Sequence, residues 1–111
     1  MKPTGKVMII TTTQSIEGKS IKEYLGVVFG ETVMGANIVR DFLASVTDII
    51  GGRSGAYESK LKEGSEIALR EMKERARRLG ANAIVGIDID YSEMREGMMM
   101  IVATGTAVII E

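Results

Sequence analysis

Two carboxylates, Asp88 and Asp90, stand two residues apart in the stretch Ala83-Ile84-Val85-Gly86-Ile87-Asp88-Ile89-Asp90-Tyr91. In a strand, residues at i and i+2 point to the same face. Joined by Glu93 or Glu31, such a pair would offer oxygen ligands to a hard divalent cation such as Ca²⁺ or Mg²⁺. It suits a soft heavy metal poorly, because that chemistry favours thiolate or imidazole. The chain has no cysteine and no histidine. Acid–base catalysis by the two acids is a second use. The plainer reading ranks ahead of both: Ile87, Ile89 and Tyr91 fill the core, while Asp88 and Asp90 face water or ion-pair with a neighbouring subunit.

Three other places carry candidate chemistry. The loop Gly51-Gly52-Arg53-Ser54-Gly55 precedes a helical stretch. Free amides at a helix start attract anions, and Arg53 with Ser54 could add side-chain contacts. A turn or subunit contact explains the glycines equally well, with Arg53 gripping a carboxylate of the next copy. Met98-Met99-Met100 has thioethers that bind Cu(I), but strand alternation turns Met99 away from the other two, so core or interface filling is expected. Glu23 and Tyr24 could sit at the rim of a pocket between subunits, or simply at a sheet edge.

The missing residue types narrow the function classes. Without histidine or cysteine there is no Ser-His-Asp or Cys-His nucleophile system, no zinc finger and no disulfide. A formal charge of −1 lacks the basic excess of a nucleic-acid binder, and 5% aromatic residues are too few for stacking platforms. The apolar run Val7–Ile10 is too short for a secretory signal, and no run spans a membrane. The cytoplasm is the expected location. The 111 residues, 45% hydrophobic, fit one domain, 1–111, with an aliphatic and Met-rich core.

The elements that would hold these residues follow from periodicity. Val7–Ile10, extended by Thr11 to Thr13, predicts a strand buried on both faces. Ser15 to Lys19 reads as a turn. Ile21 to Met34 predicts a long, bent strand. Its residues Leu25, Val27, Phe29 and Val33 share one parity and should face the core, while Gly26 and Gly30 mark a bend or a close backbone approach. Asn37 can cap a helix whose Ile38, Val39, Phe42, Leu43, Val46, Ile49 and Ile50 recur at helical spacing. A second helix is expected over 57–79, with a narrow stripe of Leu61, Ser65, Ala68, Met72, Ala76 and Leu79. Glu66–Arg70, Glu71–Arg75 and Glu74–Arg78 are spaced to pair along its solvated side. Gly80 should stop it. Strands over 83–93 and 98–110 follow, joined at Glu96-Gly97. The last strand is apolar at both parities, so both of its faces must be covered. Two helices with one stripe each cannot do that alone, which points to a second subunit.

Several of these segments together resemble a known family. Glu23-Tyr24-Leu25-Gly26-Val27-Val28 with Gly30-Glu31, Asn37-Ile38, Asp48-Ile49-Ile50-Gly51-Gly52-Arg53-Ser54 with Tyr57-Glu58, Gly80 to Tyr91, and Gly105-Thr106-Ala107-Val108 occur in order. This is similar to the YbjQ-like family, whose label is heavy-metal binding. The resemblance runs nearly end to end. It implies an α+β fold related to dodecin subunits, with a small antiparallel-rich sheet and two helices. It also implies a ring-shaped homo-oligomer, a homopentamer, and no established catalysis. The expectation is a homo-oligomeric binding or scaffold module for a small ligand or cation, not an enzyme, with no nucleic-acid or membrane partner. An oxygen-ligand metal protein using Asp88 and Asp90 is the alternative, and a carboxylate-dependent enzyme ranks last.

Overall fold

The computed structural model describes residues 7–35, 55–95 and 98–111. Among them lie four strands, β1 (Ile9–Ile10), β2 (Ile21–Met34), β3 (Ala83–Arg95) and β4 (Met98–Ile110), and one helix, α1 (Gly55–Arg78). The strands form one mixed sheet in the order β1-β3-β4-β2. β1 runs parallel to β3; β3–β4 and β4–β2 are antiparallel. The fold is a small α+β fold. The expected helix over 37–50, the Gly51–Gly55 loop up to Ser54, and the turn at 96–97 lie outside the described residues.

α1 packs on one face of the sheet, mainly against β2 and β4. Ala68, Met72 and Ala76 are its fully buried positions. They meet Val28, Met34, Ile84, Ile101, Ala103 and Ala107 in one apolar cluster. The small residues set the distance. A Cβ on Gly30 would run into the Ala68 carbonyl oxygen and come within 2.6 Å of the Met72 amide nitrogen, so the α1 backbone lies directly on β2. Removing Met72 from water stabilises the fold by about 1.5–3 kcal/mol.

α1 ends as its sequence dictates. Gly80 takes φ 92°. The Ala81 amide donates to the Ala76 carbonyl at 3.1 Å and Gly80 to Arg77 at 2.9 Å, which together form a Schellman cap. Leu79, expected in the buried stripe, lies past the helix end and is exposed. The next residue, Asn82, locks β3 to the end of β4: its side chain donates to the Ile110 carbonyl at 3.0 Å and accepts from the Ile110 amide at 2.8 Å.

β2 departs from simple alternation. Only Leu25 of the expected inward set packs on the α1-side cluster. Val27, Phe29 and Val33 are exposed, and Val28, Gly30 and Met34 are buried in their place. The cause is a bulge between Tyr24 and Gly26, where Gly26 adopts φ 123°. One extra residue reverses which parity faces inward. A second bulge, between Val85 and Asp88 with Gly86 at φ 63°, does the same on β3.

β1 is shorter and less buried than expected. Only Ile9 and Ile10 are in the strand, Val7 is exposed, and Ile9 is 37% exposed. As an edge strand it has a neighbour on one side only, and Thr11 to Thr13 leave it as a loop. That loop returns across the sheet face opposite α1. Ile16 and Ile21 pack there on Ala83, Val85, Val108 and Ile110, a second apolar cluster.

Candidate functional site

Strand register brings most of the candidate acids to the sheet face opposite α1. Asp88 lies opposite Thr104, which lies opposite Phe29; Asp90 lies opposite Val102, which lies opposite Glu31. Directly opposed residues share a face. Asp88, Asp90 and Glu31 therefore share a face, but β4 separates Glu31 from the aspartates by two strand spacings, about 10 Å. Glu93, an odd number of residues along β3 from Asp90, points to the other face. Among the described residues no group of three acidic, histidine or cysteine side chains is placed to hold a metal ion.

Asp88 and Asp90 are exposed, and their carboxyls meet each other. The hydrogen bond with Asp88, then its negative charge, then slight burial raise the Asp90 carboxyl above its usual range. Two carboxylate oxygens would not hold a soft metal, which favours thiolate or imidazole. The donor set of this chain therefore does not fit a heavy metal. Ile87 and Ile89 pack on the α1-side cluster as expected, but Tyr91 stays 49% exposed and does not fill the core.

The other candidates are dispersed. Arg53 and Ser54 lie outside the described residues. Met99 packs against the α1-side cluster, whereas Met100 lies opposite Val33 on the other face, so the three methionines do not converge. Tyr24 is exposed on edge strand β2. At mid-strand that edge is occupied by α1 side chains. Arg75 donates to the Phe29 carbonyl at 2.7 Å, and the Glu31 amide donates to Glu71 at 2.8 Å. The Arg75 guanidinium also lies 4.6 Å from the centre of the Phe29 ring. Glu71 and Arg75 pair as expected, at 3.4 Å, but Glu74 takes Arg77 rather than Arg78.

Sequence reasoning missed one polar cluster. The loop after β1 is tied to the β3 bulge, with the Gly86 amide donating to the Thr13 carbonyl at 2.8 Å and Ile87 to Thr11 at 3.1 Å. The Thr11 and Thr13 hydroxyls lie 2.8 Å apart, the Thr13 amide donates to the Thr11 hydroxyl, and the Thr13 hydroxyl donates to the Ser15 carbonyl at 2.6 Å. The cluster of hydroxyl residues Thr11, Thr12, Thr13 and Ser15 was the available signal.

Comparison with known proteins places the chain. Residues 8–111 match a family model described as "Putative heavy-metal-binding". A UPF0145 protein of Geobacillus kaustophilus is 67% identical over 91% of this chain and 96% of its own length. One from Anoxybacillus flavithermus is 66% identical over the same shares. These names state no activity. A crystal structure of a protein of unknown function from Pediococcus pentosaceus, of the DUF74 family, matches with a TM-score of 0.59 over 94% of this chain and 98% of that one. At 15% identity this likeness speaks for the fold alone. The chain belongs to the YbjQ-like UPF0145 family.

Proposed function

We propose that the chain, as one domain over 1–111, is a non-enzymatic binding or scaffold module that works as a homo-oligomeric ring of five copies in the cytoplasm. The observation carrying this reading is the part of the sheet face opposite α1 whose apolar side chains stay exposed among the described residues. Val27 is 76% exposed, and Phe29 and Val33 are each 45% exposed, beside Met100 and Val102 on β4. Covering such a surface is a recurrent reason for association. A second copy is the occupant proposed, in line with the ring that the family resemblance implies. Native mass spectrometry tests it. The expected species has five times the chain mass, and a single chain at micromolar concentration overturns the reading.

A second reading is a hard-cation site at Asp88 and Asp90, supported by the convergence of their carboxyls. Calorimetry with Mg²⁺ or Ca²⁺ should then give heat with the wild type and none with Asp88→Asn/Asp90→Asn. Identical titrations, or no heat from either protein, end it. Arg53 and Ser54 are proposed as an anion-binding pair, tested with inorganic phosphate as the probe, whose affinity should be lost in Arg53→Ala. A carboxylate-dependent enzyme ranks last, since the chain has no histidine or cysteine to supply a nucleophile or a base.

A further inference from the structure

Residues 9–17, from the β1 edge into the following loop, line an open surface cleft of about 590 Å³. Its open side leaves room for a ligand that lies along the surface with one flank in water. It is lined by Ile9, by Ile10, which also packs on the α1-side cluster, and by Ile16, which packs on the opposite face, together with Thr11, Thr13, Ser15 and Glu17. Backbone hydrogen bonds hold the loop at both ends. The loop is tied to β3 through Gly86 and Ile87 at one end and to β4 at the other, where Ser20 and Glu111 exchange backbone bonds at 3.0 and 3.3 Å.

The direction of the hydroxyl bonds decides what the cleft can recognise. The Thr13 hydroxyl gives its one proton to the Ser15 carbonyl. In the short contact between the two threonines Thr11 must therefore be the donor and Thr13 the acceptor. Both hydroxyl protons are consumed inside the loop, and what these two groups offer outward is lone pairs. Glu17, exposed at the same cleft, adds an acceptor with negative charge. We infer that this cleft binds a small organic cation, an ammonium group on an aliphatic body, with the head on Thr11, Thr13 and Glu17 and the body on the isoleucines. The inference concerns a cleft within one chain and stands whether or not copies associate.

Titrating the ¹⁵N-labelled full chain with hexylammonium, hexanol and hexanoate, followed by NMR, tests it. Hexylammonium should move the amides of residues 9–17 in a saturable way and bind about tenfold tighter than hexanoate, the worth of one charge-assisted hydrogen bond. Glu17 takes no part in the bonds that shape the loop among the described residues. Glu17→Gln should therefore leave the free spectrum intact and weaken hexylammonium about threefold, the scale of an exposed ion pair. Thr13→Val should weaken it further, with the loop's amide shifts in the free protein reporting whether the loop is kept. Hexanoate binding as tightly as hexylammonium, loop amides unmoved at millimolar ligand, or unchanged affinity in Glu17→Gln each overturns the assignment. Native mass spectra of the same samples read the copy number separately, so failure of the ring and failure of the cleft give different results.

Discussion

On the α1 side of the sheet, Ala68, Met72, Ile84 and Ile101 have no exposed surface; on the opposite side, Val27 keeps 76% of its own. The two faces differ in what approaches them. α1 comes so close to β2 that only glycine fits at Gly30, and a side chain on Gly64 would meet Ile101. Among the described residues the other face is covered at the end where Ile16 lies over Val108 and Ile110. Its remainder mixes apolar side chains with Asp88, Asp90 and Glu31 on neighbouring positions. Burial is concentrated on the first face, and large apolar side chains stay exposed on the second.

Substitutions that fill or empty the α1 side should break this contrast most. Gly30→Ala forces a methyl into the α1 backbone and should cost about 3 kcal/mol or prevent folding, read by chemical denaturation. Met72→Ala empties a buried site and should cost about 3 kcal/mol in the same measurement. At the boundary between the faces, Arg75→Ala removes the bond to the Phe29 carbonyl and the contact with its ring. It should cost about 1.5 kcal/mol, reduced by the partial exposure of the pair. On the open face, Val27→Asp should change unfolding by less than about 0.5 kcal/mol. It should nonetheless reduce the light-scattering mass to that of one chain if the proposed ring uses this surface.

The smallest effect belongs to the acid pair and depends on pH. The native state raises the Asp90 carboxyl, so it binds a proton more readily than the unfolded chain does. Stability from this group is therefore greatest at low pH and declines as pH rises through the native Asp90 titration. Asp90→Asn should raise the melting temperature slightly at neutral pH and flatten its dependence across the acid range. A wild-type melting temperature that rises through that range by as much as the variant's would contradict the pairing.

Much of this architecture could be read from residue order. β2 and β4 have the expected limits, because long apolar runs bounded by turn residues leave little freedom. The limits of α1 and β3 differ from expectation by no more than two residues, and Gly80 ends α1 as its type predicts. The inward set of β2 was not legible. Alternation is a local rule, and the bulge at Gly26 is fixed by register with β4, a partner far along the chain. Gly26 was visible as a bend, but the sequence does not say that it, or Gly86 in β3, inserts a residue into the ladder. At the candidate site, the shared face of Asp88 and Asp90 was legible from their spacing. The separation of Glu31 by a whole strand required the strand order. The Thr11–Ser15 hydroxyl chain escaped notice because its direction depends on which carbonyl each proton reaches.

The ionic cover on the β2 edge bears on a property of a different kind. An exposed strand of 14 residues with outward valines and a phenylalanine is a template on which stray extended chains could add and grow into fibrils. The backbone groups at Phe29 and Glu31 that such growth would use first are already bonded to Arg75 and Glu71. Because those side chains carry charge and reach across from α1, fraying of the helix end or high salt would unmask the edge. Colloidal lifetime would then follow ionic strength, even where the folding free energy does not.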